Sequence, residues 1–576
     1  MSEPTDERSG VEILKEQSRA LRAPLLDEFA APTTHITDAG YQILKFHGSY
    51  QQDDRDLRND RRKAGEEYAF SFMIRLRLPG GDVHPELWLA LDRLAGEQGN
   101  DTLRLTTRQS IQLHGILKHD LRNVIRAVND NLSSTLGACG DVNRNVMAAP
   151  VPFRRRDYAV VREAARAISD HLLPRTRAYA ELWLDGDEIA RVGPDAGADD
   201  VEPIYGKTYL PRKFKTAVTV AGDNSVDLFT NDLGVVLFLD GDTVEGWNIY
   251  VGGGLGRTHK KPATFPRLAD ALGFVGPDDL LRAAEGVVVV QRDHGDRTNR
   301  RHARLKYLVH DRGIDWFRAK VAEVSGLEIA PPRPIDWTRF DDLLGWHEQG
   351  DGAWFYGLRV FNGRVRDADD GAYRSALRAI AHLGVAFRIT PNQNVYLVDV
   401  TPDERPVIDG ILATYGISPP ETARGLRRLA MACPALPTCG LAVAEAERAL
   451  PGVLDELQVL FDGLGLGDET PTIRMTGCPN GCARPYVAEI GLVGDAVDRY
   501  QVWLGGDTAG TRLATAVAER VHKTDLPALL RPLLERYRDE RLPGEALGDF
   551  LARAEITSVD YTPSVPLRAA REEVPA

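Results

Sequence analysis

Cysteine is scarce in this chain, with five residues in 576. So few, spread over such a length, exclude a disulfide-stapled scaffold. Long apolar runs are missing as well. No stretch approaches the ~20 apolar residues that a membrane-spanning helix needs. The N-terminal MSEPTDERSGVEILKEQ is polar and acidic and lacks the apolar centre of a secretory signal. These absences predict a cytoplasmic protein with no membrane partner. Positive charge is in deficit: 71 Lys and Arg against 84 Asp and Glu leave a net charge of -13. An acidic surface argues against nucleic acid as the main partner. Low-complexity sequence is absent too. VGGGLGRTH (251–259) lacks the strand–GxGxxG–helix order and the later acidic residue of a dinucleotide site. It reads as a tight turn that lets backbone approach a cofactor.

What is present is an ordinary globular composition, 43% hydrophobic and 27% charged. The length implies roughly three or four domains. A helical stretch is predicted around Val11 to Phe29. AFSFMIRLRL (69–78) alternates as a strand and ends at Pro79-Gly80-Gly81. A helix near Pro85 to Glu97 and a second strand over Leu103 to Leu113 complete a β-α-β piece. That piece recurs: LRLTTRQSIQL (103–113) resembles FRITPNQNVYL (387–397), with Arg104, Thr106 and Gln109 matching Arg388, Thr390 and Gln393. A second echo links NDLGVV (231–236) and NIYVGGG (248–254) to AEIGLVG (488–494) and QVWLGG (501–506). Two echoes in the same order predict a duplicated α+β (mixed α/β) architecture with pseudo-twofold symmetry, and a cofactor at the meeting of the halves.

Four of the five cysteines form two pairs, Cys433 and Cys439 in MACPALPTCG and Cys478 and Cys482 in MTGCPNGCARP. Four thiolates suit a cubane cluster, and the flanking Pro and Gly suit loops whose N–H groups reach its sulfurs. A structural zinc site is the main rival, although zinc ligands are usually two to four residues apart in small modules. Cys139 stands alone and reads as a buried small hydrophobe. Basic residues also sit where strands or turns are expected: Arg75, Arg104, Arg108, Arg144, Arg212, Lys213 and Lys215. Internal salt bridges would explain any one of them; seven together favour a polyanionic ligand and an anionic substrate. The run RDHGDRTNRRHARLK (292–306) reads as a solvated helix face, a carboxylate site or a docking patch.

C-x(5)-C with C-x(3)-C, together with TTRQSIQLHG, CGDVNRNV, YLPRKFK and VGGGLGRTH, resembles the siroheme-dependent sulfite and nitrite reductases from about Glu12 to Phe550. The resemblance implies ferredoxin-like half-domains at 61–130 and 336–410 and a siroheme and substrate domain at 131–335. A domain with the 4Fe–4S cluster would span 411–556, with an N-terminal arm over 1–60 and a tail over 557–576. It further implies Cys433, Cys439, Cys478 and Cys482 as cluster ligands, Cys482 also bridging to siroheme. Siroheme carries eight carboxylates; Arg104, Thr106, Arg108, Gln112, His114 and Arg212 would contact it. Arg75, Arg144, Lys213 and Lys215 would face the substrate. The family's sulfite reductases show K-x-K where Lys213 and Lys215 stand, and its nitrite reductases tend to show K-x-N, so sulfite is expected. Gly440 departs from the family's usual Pro after the second cysteine. With no flavin or NADPH domain in the chain, electrons are expected from another protein. Several stretches look closest to the ferredoxin-dependent branch; an NADPH-flavoprotein donor is the alternative. Docking of an acidic ferredoxin is expected on 292–306 or on Arg55 to Lys63.

Overall fold

The computed structural model describes residues 7–184, 201–423 and 425–564. The described chain forms two compact units. One runs up to Leu255 and resumes over Pro262–Thr422; the other comprises Gly256–Lys261 and the chain from Ala423 onward.

In the first unit, the helix Pro85–Glu97 forms as its sequence dictates. His84 caps it, accepting from Leu87 N at 3.2 Å, Pro occupies the first position, and Leu87, Trp88, Leu91, Leu94 and Ala95 form the buried face. The predicted strand before it is Phe70–Arg75. The predicted strand over 103–113 is instead a hairpin, Leu103–Leu105 and Ile111–Ile116. The Thr106 hydroxyl accepts from Arg108 N and Ser110 N at 3.3 and 3.2 Å, and Gln109 turns with φ 51°. A polar quartet with a threonine that can bond its own backbone is a turn, although its alternation reads as strand.

The repeat copies this turn. Ala386–Ile389 and Val395–Val400 flank it, Thr390 accepts from Asn392 N and Asn394 N, and Gln393 has φ 68°. The two half-domains also exchange strands. Asp82–Val83 pairs with Phe387 and Arg388, while Arg364–Val365 pairs with Leu103 and Arg104. Each five-stranded sheet thus ends on a strand of the other. Gly81 (φ 81°) and Gly363 (φ 70°) make the crossing possible, because a Cβ would strike Ile389 O and Leu105 O respectively. Trp88 stacks on Phe387 across the join, with ring centroids 4.4 Å apart.

The second echo is a duplicated sheet. In the first unit the order is Met147–Ala148, Thr216–Val220, Leu233–Asp240, Thr243–Val251, Asp270–Val275. In the second it is Met431–Ala432, Ile473–Thr476, Ile490–Ala496, Arg499–Leu504, Thr515–His522. Both run parallel for two pairings and antiparallel for the next two.

The N-terminal arm corrects a further expectation. The single helix predicted over Val11 to Phe29 is two short helices, Gly10–Gln17 and Leu25–Ala30. Ser18 breaks it: its hydroxyl donates to Lys15 O and accepts from Leu21 N, and Arg19, Ala20 and Leu21 all take positive φ. The arm is pinned by the fully buried His47, whose Nε2 donates to Leu21 O at 3.0 Å while Nδ1 accepts from Trp183 Nε1 at 3.0 Å. Both contacts require the neutral ring, and burial lowers its pKa to about 4. Protons therefore bind the unfolded chain first. Stability is complete above pH ~6.5 and falls by ~3 kcal/mol as the pH drops through His47's two pKa values. Unfolding midpoints of the wild type and His47→Gln, measured from neutral to acid pH, should converge as the pH falls; a constant gap would show that His47 does not titrate in this way.

Candidate active site

Arg75 ends the strand Phe70–Arg75 and lies opposite Gln112 in the neighbouring strand. With its amide oxygen turned inward, Gln112 accepts from Arg75 Nε at 2.9 Å. Arg75 Nη1 lies 2.8 Å from Cys139 Sγ, and its guanidinium is 5.6 Å from the Tyr50 ring centroid. Arg144, buried, donates from Nε to Ala138 O at 3.0 Å and from Nη2 to Tyr50 OH at 3.1 Å. A bridge between Asn143 and Phe214 lays the Arg144 turn beside the segment carrying Lys213 and Lys215, with Arg144 N donating to Phe214 O at 2.8 Å. Three of the four predicted substrate cations share this first strand-and-turn assembly, and Lys215 continues it, its N–H donating to Asp232 Oδ2 at 3.0 Å.

Cys139 is buried, as expected, but not as an apolar filler. Burial would raise its pKa; Arg75 and Arg144 overcome that and pull it down. Conversely, burial would lower Arg144, yet Tyr50 and Cys139 beside it hold it above the ordinary value. Tyr50 and Cys139 thus belong to the cationic cluster. Only proximity in space reveals this, since Tyr and Cys are ordinarily neutral side chains.

Of the predicted siroheme contacts, Arg104, Gln112 and His114 are buried and Arg108 is half-buried. Arg108 donates to Asn231 Oδ1 (2.8 Å), Asn145 O (2.6 Å) and Thr216 O (3.0 Å), while its Nε is buried without a hydrogen-bond partner. Burial and then Arg144 lower its pKa to about 9. His114 donates from Nδ1 to Gln52 Oε1 at 3.2 Å, and its buried Nε2 has no hydrogen-bond partner. Burial, Arg364, Arg104 and Arg75 push its pKa well below the usual range. Arg212 is lowered to about 10 by burial and by Arg300. Thr106 spends its hydroxyl on the turn. Cations that converge on a neutral histidine, beside two orphaned buried nitrogens, fit a large polyanion with polar edges.

The repeat shows how this differs from a structural arginine. Arg388, the counterpart of Arg104, is opposite Asp82 and bonds it at 2.6 Å; Arg104 is opposite Arg364. One copy is neutralised by the exchanged strand and the other doubly cationic.

In the second unit, Cys433 directly follows the strand Met431–Ala432, and Cys478 and Cys482 lie on the loop after Ile473–Thr476. Val443 N and Ala444 N donate to Gly477 O at 2.8 and 3.1 Å, which closes the first cysteine loop onto the second. Gly477 N donates to Cys433 Sγ at 3.4 Å. Burial raises Cys433 well above the usual thiol range, and Cys482, Cys478 and Cys439 add to it. Burial, Cys482 and Cys439 push Cys478 up to about 12. Cys433 and Cys478, held neutral by burial and by the neighbouring cysteines, would become thiolates beside a multivalent cationic core. Among the described residues, no three His, Cys, Asp or Glu side chains converge closely enough for a single ion. A Cβ built at Gly440 meets nothing within 4 Å, so a side chain has room at that position.

Register places Ala149 where Cys433 stands, Ala221 where Cys478 stands and Ser225 where Cys482 stands. The duplicated sheet therefore carries the thiols in one copy only. The glycine-rich stretch contributes Gly256–Lys261 to the second unit, where Arg257 N donates to Pro479 O, inside the cysteine loop, at 2.9 Å.

The 292–306 run is not a solvated face. Arg297 bonds Glu12, Arg300 bonds Asp141 at 2.8 Å, Arg304 bonds the buried Asp232 at 2.8 Å, and Lys306 donates to Gly254 O at 3.0 Å. These charges are committed internally, which removes most of the run as a docking patch. The helix Arg58–Ala64 has no buried residue and keeps Arg61, Arg62 and Lys63 in its last turn.

Two family models match the chain. The nitrite/sulfite reductase ferredoxin-like half domain matches residues 64–131 and 347–415, the two strand-exchanged pieces. The nitrite and sulphite reductase 4Fe-4S domain matches residues 163–328, within the unit that lacks the four cysteines. Over 560 residues the chain is 52% identical to a sulfite reductase (ferredoxin) of Synechococcus elongatus, covering 95% of this chain and 89% of that one. It is 48% identical over 556 residues to the sulfite reductase (NADPH) hemoprotein beta-component of Myxococcus xanthus, covering 96% and 98%. The structure of the Mycobacterium tuberculosis NirA protein shares the fold, with a TM-score of 0.72 at 24% identity over 96% of this chain and 97% of that one. Among the described residues, no helix is long and apolar enough to cross a membrane. The two matched half-domains, the 4Fe-4S domain and the identity along nearly the whole chain establish that it belongs to the siroheme- and 4Fe–4S-dependent nitrite and sulfite reductase family.

Proposed function

We propose that this chain reduces sulfite to sulfide in the cytoplasm with six electrons drawn from reduced ferredoxin. The observation that carries the reading is the cationic cluster of half-buried Arg75 and buried Arg144 around Tyr50 and Cys139, laid beside the Lys213–Lys215 segment. An electron carrier needs four thiols but has no use for these cations. Cys433, Cys439, Cys478 and Cys482 would hold the cluster, Cys482 also bridging to siroheme, and Arg104, Thr106, Arg108, Gln112, His114 and Arg212 would hold the macrocycle. When bound, the two groups would supply single electrons and a redox-active iron at which sulfite is reduced.

The chain's own residues then do three things. Arg75 and Arg144, which remain charged at any working pH, neutralise the dianion and fix its orientation. Lys213 and Lys215 add charge and can deliver protons as each of three oxygens leaves as water. Tyr50 holds Arg144 in place through its hydroxyl and, with Cys139, keeps that charge local. Relatives of both donor classes match this chain, at 52% and 48% identity. Ferredoxin is favoured by the motif stretches, and an exposed basic helix at 58–64 suits an acidic donor.

Lys215→Asn should cut sulfite kcat/KM by about tenfold or more, ~1.4 kcal/mol of transition-state stabilisation, and improve nitrite relative to sulfite. Unchanged sulfite kinetics would defeat the substrate assignment. Cys478→Ser should lose iron and acid-labile sulfide. Cys482→Ser should also lose the magnetic coupling of cluster and siroheme, and a coupled spectrum in that variant would exclude Cys482 as the bridge. Ferredoxin-driven turnover should fall as salt rises, and more steeply for the wild type than for an Arg61, Arg62 and Lys63 charge-removal variant. Equal salt slopes would move the docking site elsewhere, and turnover only with an NADPH-flavoprotein would assign the other donor.

A further inference from the structure

Three successive carbonyls lead into the segment that bears Arg212, Lys213 and Lys215, and each is met by a buried or half-buried cation from a distant part of the chain. Tyr209 O accepts from Arg297 Nη2 at 2.8 Å, Leu210 O from Lys15 Nζ at 2.7 Å, and Pro211 O from Arg300 Nη1 at 3.4 Å. Tyr209 itself takes a left-handed conformation, φ 55°, which a bulky residue adopts only when its surroundings enforce it. Two carboxylates tie the three cations together. Glu12 bonds Lys15 at 2.5 Å and pairs with Arg297. Asp141 accepts from Arg300 at 2.8 and 3.2 Å and lies 3.5 Å from Lys15. Asp141 also belongs to the Arg144 turn, and its carbonyl accepts from Leu210 N at 2.9 Å. Lys15 is wholly inaccessible and Glu12 nearly so.

We propose that the N-terminal helix Gly10–Gln17 is part of the substrate-binding apparatus, with Lys15 as a positioning residue that sets Arg144 and the Lys213–Lys215 segment at the spacing an oxyanion requires. This rests on the reading of those cations as substrate ligands. Lys15 touches both elements at once, Leu210 on one and Asp141 on the other. Without it, Asp141 loses one of the two cations within 4 Å, keeping Arg300, and the Leu210 carbonyl is left without its cation. The two elements remain folded through their backbone bonds, Phe214 N to Val142 O and Arg144 N to Phe214 O, but lose the clamp at their entry. A role in stability alone would weaken every ligand of the site alike. A positioning role weakens the anion, which needs several cations at fixed distances, and spares a neutral ligand, which needs none.

The test uses the full-length holoenzyme with siroheme and iron content verified. Sulfite binding to the oxidised enzyme and carbon monoxide binding to the reduced enzyme are followed by their visible spectra in the wild type, Lys15→Met and Lys213→Met. Lys15→Met should weaken sulfite by about tenfold and leave carbon monoxide unchanged. Unchanged sulfite affinity, or an equal loss for both ligands, overturns the proposal. If Lys213→Met weakens sulfite and Lys15→Met does not, the positioning role alone falls; if neither does, the reading of the substrate cations falls with it. Should Lys15→Met yield no holoprotein, Glu12→Gln, which keeps the shape and releases Lys15 and Arg297 from their acid, is read by the same two ligands and the same outcomes.

Discussion

Arg75, Arg104, Arg108 and Arg144 sit inside or at the edge of the first unit, and a buried guanidinium costs several kcal/mol unless charge or hydrogen bonds answer it. Protein carbonyls answer Arg108, and Tyr50 with Cys139 answers Arg144. At His114 the neighbouring charges are Arg364, Arg104 and Arg75. That positive interior fits an external polyanion and an anionic substrate. The strand exchange, the paired hairpin turns and the buried network of the N-terminal arm hold those cations in place.

Duplication supplies the frame, and departures from duplication supply the function. Arg388 and Arg104 occupy equivalent strands, yet one meets Asp82 and the other Arg364. The same sheet occurs twice, yet Ala149, Ala221 and Ser225 stand in one copy where Cys433, Cys478 and Cys482 stand in the other. Each difference is a single side chain on a conserved backbone position of the duplicate, so the fold tolerates it while the chemistry changes sign. An acidic chain can therefore hold a cationic site: its surplus negative charge lies elsewhere, and Asp141, Asp232 and Glu12 are spent on cations that hold the frame.

The 292–306 run shows how charge in sequence misleads. Its arginines look like a patch because they are close in the chain. In the fold they diverge, toward Glu12, Asp141 and Asp232, because a segment that follows a buried helix face can send successive side chains to different partners. The hairpin at 103–116 misleads in the opposite way. Alternation there predicts a strand, and the strand does continue on either side, but Thr106 bonds its own backbone and reverses the chain.

The four paired cysteines, the two internal echoes, the helix at 85–97 and the list of candidate cations are legible in the sequence, because spacing, periodicity and repetition are properties of the chain itself. Tertiary structure alone decides which cations meet and which are neutralised. It brings Tyr50 and Cys139 to Arg75 and Arg144, sets Asp82 against Arg388, and carries Lys15 across 195 residues to Leu210. A buried charge is defined by what surrounds it, and those neighbours come from strands and loops far apart in the chain. The physical reason is that electrostatic energy depends on distance in space and on the loss of water, neither of which is written in residue order.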